Sequence, residues 1–288
     1  MKIALVGSNS YIAEFLLKRL EKQTYMDCVV KIDKSLNTDM YLDLQKAEKF
    51  DYSSLENVDF IIFLAAISEP DKCALDFEYC WNINVSGTEY FIKNALEYHC
   101  KVLFFSSDAV FGNLDGYIYT EESGTMPITP YGKMKKAIED KFKNHPNFKA
   151  IRLSYVVSVK DRFVTYCLNC IEKNCVAEVY HPFYRNCISV SDVVNVVDWF
   201  LQYFHLYKPF VLNVAGKELI SRVRIADELN RCLGYSLKYI VSMPGEKFFK
   251  NRPQITQMKS LYIKEYGILE DNTFTEKIQK EIKGEYNE

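Results

Sequence analysis

The chain has 288 residues, 48% of them hydrophobic and 26% charged, with a formal net charge of -2. That length and composition suit one large α/β unit, or a nucleotide-binding core with a smaller appendage, and supply enough apolar residues for a sizeable core. Acids and bases are mixed without a basic tail or stripe, which argues against a nucleic-acid partner, and no apolar run is long enough to span a bilayer. The opening segment Met1 to Gly7 is too brief for a signal-peptide core. Nine Cys lie scattered in apolar contexts, as expected for reduced core thiols in a cytoplasmic protein. Cys167, Cys170 and Cys175 lie in and just after a helical-looking stretch, with no second Cys/His pair at zinc-site distance, so packing thiols are expected and no metal is. Aromatics reach 15%, and many of the 21 Tyr are expected half-buried, ring inside and hydroxyl wet.

In chain order, residues 3–6 form an apolar run suited to a parallel strand covered on both faces. Residues 11–20 carry Ile12, Phe15, Leu16 and Leu20 at helical spacing. Strands follow over 28–32, ending at Asp33, then over 40–44 and 60–66. A long helix is expected over 77–98 and a strand over 101–105, ending in Ser106-Ser107-Asp108. Pro130 opens a helix to about residue 144, and 149–153 is a further strand. This alternation predicts an α/β fold, a Rossmann-type doubly wound parallel sheet. Later segments are less regular: a helix over 193–204 capped by Ser191-Asp192, a strand over 210–214, and a helix from Ser221 toward Cys232. A short strand over 237–241, a turn at Pro244-Gly245 and a charged, fraying tail over 276–288 complete the chain. The expected division is a nucleotide-binding domain of residues 1–157 plus about 188–216. About 158–187 and 217–288 would form a smaller α/β substrate-binding region.

The loop after the first strand reads Gly7-Ser8-Asn9-Ser10-Tyr11-Ile12-Ala13. Its spacing fits the Gly-x-x-Gly-x-x-Gly phosphate loop, in which glycines let a helix N-terminus approach a pyrophosphate. Only Gly7 is kept; Ser10 and Ala13 stand at the other two positions. Ala13 still allows close helix–strand packing, whereas the Ser10 side chain either crowds the phosphate or donates to it. A plain strand-turn-helix with Ser8 or Ser10 as N-cap is the competing reading. Asp33 lies about 20 residues further on, where a carboxylate binds ribose hydroxyls. It favours NAD over NADP, with Lys31 and Lys34 beside it.

Tyr131 and Lys135 are spaced i and i+4 on a helix and so share a face. A phenol ordinarily titrates near 10, and a neighbouring ammonium is expected to lower that value and make it an acid–base group. The pair follows Ser106-Ser107-Asp108 by one strand-helix unit, at the sheet edge where α/β folds bind ligands.

Taken together, these segments resemble the extended short-chain dehydrogenase/reductases, and within them the dTDP-4-dehydrorhamnose reductase branch. The resemblance runs through Leu64-Ala65-Ala66, Asn84-Val85-Ser86-Gly87-Thr88, Phe105-Ser106-Ser107-Asp108, Tyr131-Gly132-Lys133-Met134-Lys135, Ile151-Arg152-Leu153-Ser154-Tyr155, Arg185-Asn186-Cys187-Ile188-Ser189-Val190 and Arg252-Pro253. It implies catalytic roles for Ser107, Tyr131 and Lys135, with Tyr131 as proton donor. Gly7, Ser10, Tyr11 and Ile12 would lie along a dinucleotide pyrophosphate. Asp33, Asp43, Leu44, Ala65, Ala66 and Ile67 would line its adenosine and ribose, and Lys135 its nicotinamide ribose. Asp108 and Tyr155 would sit near a sugar. Arg185 and Arg252 are candidates for a diphosphate, because a forked guanidinium suits phosphate oxygens. Ala109 departs from the aromatic residue of many relatives, so the sugar itself does not carry over.

The expected activity is NAD(P)H-dependent reduction of a nucleotide-linked 4-keto-deoxysugar. An epimerase or dehydratase of the same superfamily is the enzymatic alternative. A non-catalytic NAD(P)-binding regulatory subunit is the other, suggested by the eroded loop but not by the kept acid–base pair. Relatives are often dimers, and the helices over 77–98 and 130–144 offer faces for a homodimer.

Overall fold

The computed structural model describes residues 1–35, 37–114, 116–270 and 273–283. The chain forms two compact units, Met1–Gly112 with Gly124–Arg152 and Val197–Leu212, and Asn113–Ser123 with Leu153–Val196 and Asn213–Glu288. In chain order the elements are β1 (Lys2–Val6), α1 (Tyr11–Leu20), β2 (Cys28–Asp33), β3 (Met40–Tyr41), β4 (Phe60–Phe63), α2 (Pro70–Leu75), α3 (Phe77–Trp81), α4 (Thr88–Glu97) and β5 (Lys101–Ser107). Then come β6 (Ile118–Tyr119), α5 (Pro130–Phe142), β7 (Phe148–Leu153), β8 (Val156–Val157), α6 (Arg162–Glu172), β9 (Ala177–Tyr180), β10 (Tyr184–Arg185), β11 (Ile188–Ser189) and α7 (Val190–Tyr203). The last are β12 (Val211–Val214), β13 (Ile220–Ser221), α8 (Arg222–Cys232), β14 (Tyr239–Ser242), α9 (Glu246–Lys250), β15 (Ile255–Met258) and α10 (Phe274–Lys283). No helix among the described residues is long and apolar enough to cross a membrane.

The central sheet has seven strands in the order β12-β7-β5-β4-β1-β2-β3, and β1 pairs in parallel with both β2 and β4. This is the Rossmann-type doubly wound α/β fold that the alternation predicts, with the order reversing between β1 and β4. Ile3 to Val6 and Phe60 to Phe63 are fully buried, which is why their sequences are unbroken apolar runs. Ala13, Leu16 and Leu20 are the buried face of α1, at the three- and four-residue spacing of a helix packed on a sheet.

Three expected elements change. The strand over 40–44 stops at Tyr41, because Asp43 caps a tight turn by accepting from the Gln45 amide at 3.1 Å. The strand over 60–66 ends at Phe63, where the Leu64 and Ala65 amides both turn onto Val6 O at 2.8 and 3.1 Å. The single helix over 77–98 is α3 and α4 joined by a wider, π-helical stretch, Asn82–Gly87. Just after it Thr88 Oγ1 donates back to Ile83 O at 2.9 Å, and within it Asn84 is buried against Ile67 in the chain leaving β4.

The second unit has its own core, including Phe163, Val164, Cys167, Ile225, Leu229 and Ile278. The expected region over 158–187 and 217–288 lies within this unit, which also takes in residues 113–123 because β6 pairs with β15. It further takes in 153–157 and 188–196, where β8 pairs with β11. Cys167 and Cys170 are buried packing thiols on α6, whereas Cys175 is exposed. The expected tail is helical through Lys283, as α10, and its remainder, 284–288, lies outside the described residues.

A Cβ built on Gly87 would sit 1.8 Å from the Leu44 carbonyl oxygen. Gly87→Ala should therefore destabilise the first unit by about 1–3 kcal/mol, since backbone must move to admit it. Urea unfolding monitored by far-UV dichroism checks this; an unchanged midpoint would remove the close approach as a constraint.

Candidate active site

The loop after β1 is shaped by Gly7, which takes φ +86° and whose missing Cβ would lie 2.6 Å from the Ala65 amide nitrogen. Ser10 is the N-cap of α1, its hydroxyl accepting from the Ala13 amide at 3.2 Å. Ala13 is fully buried, so the third small residue does pack helix on strand. Ser8 is buried too, and its Oγ meets no partner among the described residues. Asp33 accepts from the Asn9 amide at 3.1 Å and from Lys34 N at 2.7 Å, fastening this loop to the end of β2. Asp43 lies 3.4 Å from Lys34 Nζ. Ile67 is held from both sides, its amide donating to Asn84 Oδ1 at 2.8 Å and its carbonyl accepting from Asn84 Nδ2 at 2.9 Å.

Ser107, Tyr131 and Lys135 belong to the carboxyl end of β5 and the first turns of α5. Thr129 caps α5 by accepting from Gly132 N at 3.1 Å, and Pro130 fits its first turn. A Cβ on Gly132 would lie 1.9 Å from Ala109 O, so α5 starts directly against the chain leaving β5. Ser107 Oγ donates to Asp108 Oδ1 at 3.0 Å and accepts from the Ala109 amide at 3.2 Å. Lys135 is buried; its Nζ donates to Phe105 O at 2.7 Å and lies 4.5 Å from the Phe104 ring centroid and 5.7 Å from that of Tyr131.

The electrostatics differ from expectation. Burial, helped by Cys73 and Asp108, pushes the Tyr131 hydroxyl up rather than down. Burial lowers Lys135 to about 7, opposed by Glu139 and Cys73. The expected lowering by a facing ammonium is absent because Nζ donates to the Phe105 carbonyl and lies 5.7 Å from the Tyr131 ring centroid, so that desolvation dominates. In this arrangement Tyr131 stays a phenol through the neutral range, which suits a proton donor.

Beneath the pair lies a charge network. Ser106, one residue before Ser107 and pointing to the opposite face, donates to Glu139 Oε1 at 2.5 Å. Arg152 on β7 meets the same carboxylate through Nε at 3.1 and 3.2 Å and Nη2 at 2.7 Å. Both charges are at most 3% exposed. The network ties β5, α5 and β7 together at the point where the candidate acid–base groups emerge.

The second unit gathers the other candidates. Tyr155, Arg185 and Arg222 line a small cleft with Phe183, Cys187, Ile220 and Ile225. Tyr155 donates to Asp161 Oδ1 at 2.7 Å. Arg185 donates to Tyr184 O at 2.6 Å and Pro253 O at 2.7 Å, and Arg252 lies 4.8 Å from the Phe248 ring.

A family profile described as the RmlD substrate binding domain matches residues 1–286. The chain belongs to that family. Its RmlD-type fold is shared with a dTDP-4-dehydrorhamnose reductase from Clostridium acetobutylicum, at TM-score 0.85 and 21% identity over 99% of this chain and 100% of that one. It is likewise shared with the dTDP-4-dehydrorhamnose reductase of Bacillus anthracis in complex with NADP, at TM-score 0.82 and 18% identity over 98% and 99% of the two chains. A UDP-glucose 4-epimerase of Halalkalibacterium halodurans is 31% identical over 166 residues, 54% of this chain and 49% of that protein. The chain thus spans about half the length of that curated relative. The resemblance read from the sequence is borne out at the level of family and fold.

Several residues of this RmlD-family site escaped the sequence reading. Glu139 sits one helical turn beyond Lys135, and Arg152 is a charge inside the apolar run Ala150-Ile151-Arg152-Leu153; together those two anomalies signal a buried pair. Asn84 was visible only as part of a motif. Arg222 follows a helix cap and looks like an ordinary surface charge.

Two measurements check this geometry. Arg152→Met should cost about 3–5 kcal/mol in urea unfolding, because it strands a buried carboxylate, and Glu139→Leu added to it should recover much of that loss. Additive losses would argue against a coupled pair. Secondly, the folded chain releases the Lys135 proton near 7, whereas an unfolded lysine holds it to about 10.4. Between those values the unfolded state binds more protons, so this residue makes stability rise with pH. Wild type should therefore gain on Lys135→Met from about pH 7 to about pH 9; a difference flat in pH would contradict the burial of a lowered ammonium.

Proposed function

We propose that this RmlD-family chain is an NAD(P)H-dependent reductase of a nucleotide-linked 4-keto-deoxysugar. The observation that carries the reading is the placement of Ser107, Tyr131 and Lys135 together at the junction of β5 and α5. Nicotinamide, when bound, supplies a hydride for the carbonyl carbon. Tyr131, kept as a phenol by burial, gives its proton to the carbonyl oxygen. Ser107 orients that oxygen, and Asp108 fixes the Ser107 hydroxyl. Lys135 would hold the nicotinamide ribose on leaving the Phe105 carbonyl.

The loop fits a dinucleotide. Gly7, at φ +86°, lets the loop turn tightly against Ala65, the α1 N-terminus supplies amides, and Ser8 Oγ is a buried hydroxyl without a partner among the described residues. Ser10, Tyr11 and Ile12 would follow the pyrophosphate. Asp33, Asp43, Leu44, Ala65, Ala66 and Ile67 would line the adenosine and ribose. Asp33 supports NAD, since a 2′-phosphate would be repelled; the Bacillus anthracis neighbour binds NADP. Tyr155, Arg185 and Arg252 would take the sugar and diphosphate.

A sugar 4-epimerase is the second reading, supported by the Halalkalibacterium halodurans relative. The retained acid–base pair weighs against a purely regulatory subunit. Incubation with NADH or NADPH and a panel of nucleotide-4-ketosugars should show stoichiometric cofactor oxidation. Tyr131→Phe should lower that turnover about 10²–10⁴-fold while leaving cofactor binding intact. Isomerised sugar without net oxidation would replace the reductase by the epimerase, and full turnover in the variant would remove Tyr131 as donor.

A further inference from the structure

The second unit contains a cavity of about 130 Å³, and all of its lining residues belong to that unit. None of the candidate catalytic, cofactor or substrate residues named above lines it. Its apolar walls are Val157, Ile188, Ile263, Leu269, Phe274 and Ile278, drawn from β8, β11, the segment before α10 and α10 itself. Apolar cavities of about 150 Å³ take up benzene. This one therefore has room for a single ring or a short alkyl chain.

The polar part of the lining is not symmetrical. Lys217, Glu218, Lys264 and Glu270 are exposed, two of each sign. Glu281, in contrast, is a buried carboxylate. Lys277, one turn before it on α10, donates through Nζ to Asp192 Oδ2 at 2.6 Å rather than to Glu281. Glu281 meets no cation at ion-pair distance among the described residues; its hydrogen-bond partner is Ser191, whose amide donates to Oε1 at 2.9 Å. Two carboxylates, Asp192 and Glu281, thus stand against one ammonium.

That surplus of negative charge is unfavourable as it stands. Burial and the neighbouring Asp192 push the Glu281 carboxyl up. Glu281 also lies in the last turn of α10, at the end of a helix that carries partial negative charge and favours cations. A carboxylate accepts at about four sites, so Ser191 does not exhaust it. A cation entering the cavity would relieve the repulsion from Asp192 and from the helix end together.

We propose that this cavity is a binding site for a small primary amine carried on an apolar body about the size of one ring. The body would lie against Leu269, Phe274 and Ile278, and the ammonium would donate to Glu281. A neutral ligand of the same shape would fill the space but leave the carboxylate uncompensated. An anion would bring a third negative charge to Asp192 and Glu281, while the exposed lysines are matched by Glu218 and Glu270. The site is independent of the reductase reading.

Calorimetric titration of the full chain near neutral pH with benzylamine, benzyl alcohol and benzoate tests this. Wild type should bind benzylamine at least about tenfold more tightly than benzyl alcohol, and benzoate most weakly. Glu281→Gln keeps an acceptor for the Ser191 amide; it should abolish the preference for the amine and leave benzyl alcohol binding in place. Leu269→Trp should weaken both ligands by filling the space, and it stands in should the glutamine variant fail to fold. NADH binding should be unchanged in either variant. Equal affinity of wild type for the amine and the alcohol, or no binding of the amine, would overturn the site. Amine binding indifferent to both substitutions would do the same by placing the ligand elsewhere. None of these outcomes bears on cofactor oxidation with nucleotide-4-ketosugars, so the two readings fail separately.

Discussion

The start of α5 lies against the chain leaving β5, and that contact organises the candidate site. It requires Gly132, since any side chain would occupy the place of the Ala109 carbonyl oxygen. It lets Lys135 reach the Phe105 carbonyl. From the other face of the strand, Ser106 reaches Glu139 and through it Arg152. Ser107 is thus set by a neighbour that points away from it. The adjacent serines divide by strand alternation: Ser106 is anchored on Glu139 in the interior, and Ser107, on the opposite face, meets Asp108 and the Ala109 amide.

Burial dominates the chemistry of this pair. Tyr131 and Lys135 share a helix face, as their spacing indicates, yet each is shifted toward its neutral form. Desolvation outweighs mutual attraction because the ammonium is directed to a backbone carbonyl rather than to the phenol. Glu139 opposes the shift on Lys135 from one turn away. A bound ligand that drew Lys135 off the carbonyl would change both groups together.

Much of the fold was legible because its signals are local. Apolar runs in β1 and β4 and the spacing of Leu16 and Leu20 follow directly from burial on a covered sheet. The errors fall where side chains compete with the regular backbone. Asp43 ends a strand by capping a turn, and Asn84 is accommodated inside a helix by a wider turn. Periodicity does not register either device. The acid–base pair was legible from spacing and order, but its titration behaviour was not, because that depends on distant residues such as Asp108 and on which way Nζ points. Arg222 was invisible for a similar reason: its three rings lie far from it in sequence, at 163, 183 and 248.

The hydroxyl of Ser10 closes the first turn of α1. Serine and glycine differ by only a few tenths of a kcal/mol in that role. Folding therefore exerts little pressure on the choice between them, and the departure from an all-glycine loop is nearly neutral for the helix. What the serine does contribute is a hydroxyl proton, left unspent by a cap that uses only the oxygen's lone pair.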